Sequence, residues 1–174
     1  MIGRLARRRA FWVMAAAPVA LILYLAFAVF GVHTLFYDEV VNEDFSAVAD
    51  RTAGERATDR PGGPEAVASG EFHAVAHPGA GEATVYRLRD DSYTLRLENL
   101  DIFNGPDLYV YAVAARDATD DEMVLESGFL NLGRLKGNQG NQTYALPDGF
   151  DPEKHRAISV WCRRFSVNFA AAPL

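Results

Sequence analysis

Few side chains in this chain could do chemistry. Cys162 is the only cysteine, so no intrachain disulfide forms, and without a CxxC or Cys/His cluster there is no thiolate zinc site and no c-type haem attachment. It closes the run Ala157-Ile158-Ser159-Val160-Trp161-Cys162. Alternation along a strand gives Cys162 the phase of Ile158 and Val160, toward a core, with Ser159, Trp161 and Arg163 pointing the other way. Three readings of the sulfur follow. It is a small buried hydrophobe; or it is a thiol in partial contact with solvent, with Arg164 two residues on in the same strand phase, if the strand continues that far, as a cation that favours the thiolate; or it ligates a metal or cofactor. In the second case no other cysteine in the chain can resolve an oxidised sulfur. The active species is then a sulfenic acid, a mixed disulfide with a partner or an intersubunit disulfide.

The remaining candidates have simpler explanations. His73 and His77 are four apart, a metal-binding spacing on a helix, but Gly70, Pro78 and Gly79 place them on a strand. There they lie about 13 Å apart, too far for one ion, and no metal site is assigned. Asp117, Asp120, Asp121 and Glu122 lack the glycine and terminal glutamate of an EF-hand loop and read as a solvated charge run. In Lys136-Gly137-Asn138-Gln139-Gly140-Asn141-Gln142 the lysine precedes the loop and no Gly-Lys-Ser/Thr follows. A hairpin turn, with glycines supplying positive φ, accounts for it. Asn141-Gln142-Thr143 fits a glycosylation acceptor, in a eukaryotic host only. No Ser-His-acid order, paired carboxylate or dinucleotide fingerprint completes a catalytic constellation, which leaves a hydrolase the weakest reading. Cofactor content stays open, because axial ligands need form no local motif.

The elements that must position Cys162 are short. The chain has 174 residues, one domain plus appendages, and its composition, 49% hydrophobic and 23% charged, is that of a chain that packs a core. From Gly70 onward, apolar runs alternate with turn residues. In SYTLRLENL, Tyr93, Leu95 and Leu97 alternate with Thr94, Arg96 and Glu98, one face core and the other wet. GEFHAVAH, EATVYRLR, DLYVYAVAA, FLNLGRL, QTYALP, AISVWC and SVNFAA read as further strands. Turns fall at Asp90-Asp91, Asn104-Gly105-Pro106, Gly137 to Gly140 and Pro147-Asp148-Gly149. Seven or eight short strands in one domain predict an all-β fold, an antiparallel β-sandwich or barrel-like domain.

Upstream, Ala10 to Val32 carries no charge and is long enough to cross a hydrocarbon core needing about 20 residues. It predicts one N-terminal transmembrane helix, a signal anchor over residues 10–36, with the lipid bilayer as its partner through residues 10–32. A cleaved signal peptide, with Ala26-Phe27-Ala28 as the cleavage site, is the alternative. Arg4, Arg7, Arg8 and Arg9 make residues 1–9 a basic cytoplasmic tip, while residues 38–174 carry a net charge of −10. That asymmetry predicts a single-pass protein with its N-terminus cytoplasmic and its C-terminal domain periplasmic or extracellular. An acidic domain also excludes nucleic acid as the general partner. Residues 37–69 read as a juxtamembrane segment and flexible tether, in which Val40, Val41, Phe45 and Val48 could line a short helix.

Four segments in order, GEFHAVAHPGAGEATVYRL, LRLENLDIFNGPDLYVY, LGRLKGNQGNQTYALP and ISVWCRRFSVNFAAAPL, resemble the DM13 (DM-thirteen) family, the electron-transfer DM domain found in Skeletor-type proteins. The resemblance covers nearly all of residues 70–174. It implies an extracytoplasmic β-rich module with a redox role through the cysteine of its Ile/Val-Trp-Cys context, which here is Cys162. A membrane redox protein or another thiol protein is then the partner. The rival reading is a non-enzymatic binding or envelope-organising module in which the cysteine is only core.

Overall fold

The computed structural model describes residues 16–25, 27, 37–46 and 63–174. The chain divides into two units, residues 1–37 and 38–174. In the first, residues 16–25 and 27 are helical, while the basic tip and the other residues of the expected anchor lie outside the described residues. Among the described residues no helix is long and apolar enough to cross a membrane.

The second unit contains the strands β1 (Val40–Asn42), β2 (Glu65–Glu71), β3 (His73–Ala74), β4 (Gly79–Arg87) and β5 (Tyr93–Ile102). They are followed by β6 (Leu108–Val113), β7 (Phe129–Arg134), β8 (Gln139–Ala145), β9 (Ala157–Cys162) and β10 (Val167–Pro173). One sheet has the order β1-β8-β5-β4-β2 and the other β3-β10-β9-β6-β7. Every pairing is antiparallel except β1 with β8. Both sheets keep open edges, so the fold is a sandwich and not a closed barrel.

Between the sheets, Val85, Leu95, Leu97, Leu100 and Ile102 of the first meet Leu108, Val110, Ile158, Val160, Cys162 and Phe169 of the second in one apolar cluster. Full burial of each large aliphatic side chain there contributes about 1.5–3 kcal/mol. The outer face of the second sheet is covered as well. Tyr111, Val113, Ala157, Trp161 and Ala171 form a second cluster with Ala118 and with Val124 of a short helix, Asp121–Ser127. This extra layer explains why both faces of β9 are buried along its whole length.

Several expectations change here. The acidic run is not simply solvated: Asp120 caps the helix by accepting from the Met123 amide at 2.7 Å, and Asp121 accepts from the Asn168 amide at 2.6 Å. GEFHAVAH is not one strand, because β2 and β3 belong to different sheets and the chain bends beyond Ala74. Glu65–Ser69, at the end of the expected tether, are strand β2, and Val40–Val41 are strand β1 instead of a helical turn. Residues 47–62, including Val48, lie outside the described residues.

The segment Gly137 to Gly140 is not a hairpin turn, since β7 and β8 lie in opposite sheets. Its glycines have another task. Gly140 has φ +97°, and a Cβ on Gly137 or Gly140 would strike the backbone carbonyl of Glu39 or Val41. Glycine is needed there because β1 lies against β8. The β1 segment is held by Asn138, whose side chain accepts from the Glu39 amide at 2.7 Å and donates to Asp38 at 2.8 Å and to the Ile102 carbonyl at 3.2 Å. Glu43 accepts from Lys136 Nζ at 2.7 Å and from the Thr143 amide at 2.8 Å. Arg96 donates to the Glu43 carbonyl at 2.8 Å and lies 5.7 Å from the Phe45 ring. The face of β5 expected to be wet is thus covered at Thr94 and Arg96, which are 2% and 5% exposed.

Candidate functional site

Cys162 is the last residue of β9, opposite Leu108 of β6 and Val167 of β10. Its phase is the one alternation requires. With Ile158 and Val160 it joins the cluster between the sheets, while Trp161 joins the outer cluster and Ser159 donates to Asn168 Oδ1 at 2.8 Å. The residue is fully buried. Its sulfur is therefore surrounded by apolar groups, yet only one residue short of the surface.

The four residues after it, Arg163 to Ser166, form an exposed turn. Arg164 stands in that turn beyond the end of β9, so the strand does not continue far enough to give it the phase of Cys162. Ser166 takes a positive φ of 53°, as the reversal into β10 requires. The turn is tied to the loop between β5 and β6 by the Arg163 amide, which donates to the Asp107 carbonyl at 3.0 Å. That loop packs down through Gly105, where a Cβ would lie 2.8 Å from the Phe169 ring and 2.9 Å from Leu108 Cδ2. Leu108 and Phe169 are members of the cluster that holds Cys162. Residues 103–107 and 163–166 thus form adjoining covers at this end of the sandwich.

Residues without a sequence signal gather around the covers. Arg134 pairs with Asp107 at 2.7 Å, and the guanidinium groups of Arg163 and Arg134 lie 4.6 and 5.8 Å from the Tyr109 ring centroid. On the other side, His77 stacks on Phe103 at 4.9 Å and contacts Phe169 at 4.2 Å. Pairing of β6 with β9 and β7 creates these neighbourhoods, which no local spacing encodes.

The two histidines serve different neighbours. His73 Nε2 lies 2.9 Å from Asp117. The Asp117 hydrogen bond raises the His73 pKa above its ordinary value, against the opposing effect of partial burial. Among the described residues no group of three or more His, Cys, Asp or Glu is arranged to hold a metal ion.

The electron transfer DM13 family matches residues 71–174, more than half of the chain and the whole of the region from the end of β2 to the C-terminal residue. The chain belongs to that family. Cys162 and both covers lie within the matched DM13 region, whereas β1 and most of β2 lie before it. No curated protein and no solved structure matches the chain.

Proposed function

We propose that this DM13 protein is a membrane-anchored electron-transfer module and that Cys162 is its redox group. The observation that carries the reading is the position of the one thiol: inside the region matched to an electron-transfer family, at the end of β9, one residue below an exposed turn. Residues 10–32 hold the protein in the bilayer, and Arg4, Arg7, Arg8 and Arg9 keep the N-terminus cytoplasmic, so the β domain faces the periplasm or exterior.

The chemistry is thiol–disulfide exchange with a thiol protein. Cys162 loses its proton to solvent, its thiolate attacks one sulfur of a partner disulfide, and the second sulfur leaves as a thiolate. A mixed disulfide results, and because the sequence has no second cysteine its resolution needs a second thiol protein, whose two thiols attack in turn, first releasing the partner as a dithiol and then releasing Cys162 with formation of their own disulfide. Attack requires the covers at residues 103–107 and 163–166 to open, a local event that costs less than global unfolding.

Complete burial of Cys162 favours the rival reading, in which the sulfur is packing in a binding or envelope-organising module. One experiment separates them. Thiols are trapped by acid and alkylation directly in native membranes, and the state of Cys162 is read by mass spectrometry beside the phenotype of Cys162→Ser. A reversible adduct or intermolecular disulfide, lost together with function in the variant, supports exchange. A fully reduced, unmodified thiol and a functional Cys162→Ser variant overturn it.

A further inference from the structure

We propose that the edge of β8 is a peptide-docking groove whose ligand is the segment 38–45, and that two copies of this chain associate by exchanging that segment, each filling the other's groove. The first support is a groove shaped for one backbone. Gly137 and Gly140 leave room where any Cβ would meet the carbonyl of Glu39 or Val41. Over that floor the segment is bonded as an added strand, the Gln139 amide donating to the Glu39 carbonyl at 3.2 Å and the Glu43 amide to the Asn141 carbonyl at 2.9 Å. Side chains then read its sequence. Asn138 donates to the Asp38 carboxylate, Lys136 and the Thr143 amide donate to that of Glu43, and the Phe45 ring lies 4.6 Å from Tyr86 and beneath the Arg96 guanidinium. This is β-strand addition in which the main chain supplies affinity and the side chains supply selectivity.

The second support is that groove and ligand are separate pieces of the chain. The residues of β4, β5 and β8 that receive the segment lie inside the DM13 region, whereas residues 38–45 precede it. The next described strand after the segment is β2, at the opposite edge of the same sheet, with β8, β5 and β4 between. Every contact between the segment and its groove is non-covalent. The same contacts form whichever copy supplies the segment.

The third support is what an empty groove would leave behind. Arg96 is 5% exposed and donates to the Glu43 carbonyl, and Glu43 is the one carboxylate paired with Lys136 among the described residues. Withdrawing the segment uncovers both cations and the Tyr86 ring, so a segment that leaves must be replaced. The same segment of a second copy restores each bond. Reciprocal exchange fills both grooves and closes a two-fold dimer, which is why swapping an identical element is a low-cost route to association. A foreign acidic peptide would instead have to displace a covalently linked competitor, present at an effective concentration as high as roughly millimolar.

The test uses two full chains with different tags, produced together, both carrying Cys162→Ala so that the introduced thiols are the only ones. One chain carries Val40→Cys and the other Gln139→Cys, positions that face each other across β1 and β8. A control pairs the Val40→Cys chain with one carrying Glu153→Cys, an exposed residue outside the groove. After mild oxidation, a disulfide-linked species bearing both tags, several-fold more abundant for 40 with 139 than for 40 with 153, is the expected result. It should fall to the control level when the Val40→Cys chain also carries Glu43→Lys and Phe45→Ala, with an unchanged circular dichroism spectrum. A single chain bearing Val40→Cys and Gln139→Cys reports docking itself. If that chain forms its disulfide internally while the separate chains stay at the control level, the segment serves its own copy alone and exchange is overturned. If neither species forms, or if the linked species survives Glu43→Lys with Phe45→Ala, the groove does not hold the segment as proposed.

Discussion

The carbonyl of Val41 lies against the α-carbon of Gly140, leaving no room for a side chain at that position. The contact fastens a segment that precedes the DM13 match onto the edge strand β8 of the DM13 sheet. Asp38 to Glu43, read as part of a juxtamembrane segment and flexible tether, are thereby bonded to the domain.

Gly140→Ala tests that contact. Alanine at φ +97° carries left-handed strain of about 1–3 kcal/mol, and its methyl displaces Val41. The expected outcome is loss of hydrogen-exchange protection at the Glu43 amide, which donates to the Asn141 carbonyl. The amides pairing β6 with β9 should keep their protection. Unchanged exchange at Glu43 would show that the two strands do not depend on this close approach.

Glu43 makes the same docking sensitive to acid. Partial burial pushes its carboxyl pKa up, but Lys136 and the Thr143 amide outweigh this and hold it below the ordinary 4.5. Its stabilisation is therefore present above the unfolded value near 4.5 and lost as pH falls through the lower folded value. Glu43→Gln should cost about 1 kcal/mol at neutral pH, the discount reflecting a partly exposed pair. In urea titrations the gap between wild type and variant should close in acid. A gap independent of pH would remove Glu43 ionisation from the account.

His73 acts with the opposite sign. Its folded pKa is raised, so the pair with Asp117 stabilises fully below the unfolded value of about 6.5, and the contribution disappears as pH rises through the folded value. In Asp117→Asn the imidazole titration, followed by NMR, should move down toward 6.5. An unmoved titration would mean that something other than Asp117 holds the proton.

Much of this architecture is legible in the sequence because alternation is a local signal. Apart from β8, which begins at Gln139 inside the segment expected to turn, the strands from EATVYRLR to SVNFAA fall where the pattern puts them, and Cys162 takes the side that Ile158 and Val160 assign to it. What escapes is set by pairing over long sequence distances. Val40-Val41-Asn42 is too short to read as a strand and becomes one through β8, about a hundred residues away. Arg96 looks like a wet-face residue until Phe45 and Glu43 arrive from the same distant segment. Asp120 reads as part of a charge run, although its position before Met-Val-Leu is also that of a helix cap. Arg164 lies in the turn beyond β9, so its position relative to the thiol does not follow from alternation, which cannot fix where a strand stops.

Asn168 is the side chain on which the outer layer hangs. Its Oδ1 accepts from Ser159 and its Nδ2 donates to the Ala118 carbonyl at 2.8 Å, all of it buried. Asn168→Ala should destabilise the domain by about 1–3 kcal/mol, since Ser159 and Ala118 lose buried partners. Exchange protection over Asp121–Ser127 should fall before that of β9. Ser159→Ala removes one bond and should cost less. Equal costs would mean that the bond to Ala118 adds nothing.

Burial of Cys162 yields the last prediction. Cys162→Ala removes one sulfur from a close-packed site and should cost about 1 kcal/mol, whereas Cys162→Ser buries a hydroxyl among Leu108, Val160 and Phe169 and should cost about 1–3 kcal/mol. Alkylation of the native thiol should be slow relative to the denatured chain and limited by opening of the covers. If the covers open locally, the rate rises only weakly with urea, because little surface is exposed. Gly105→Ala, which forces the β5–β6 loop off Phe169 and Leu108, should accelerate alkylation with a smaller loss of global stability than the rate change alone would imply. Alkylation that follows global unfolding in every variant would mean that Cys162 is reached only when the sandwich comes apart, and exchange chemistry in the folded domain would then have no route to its sulfur.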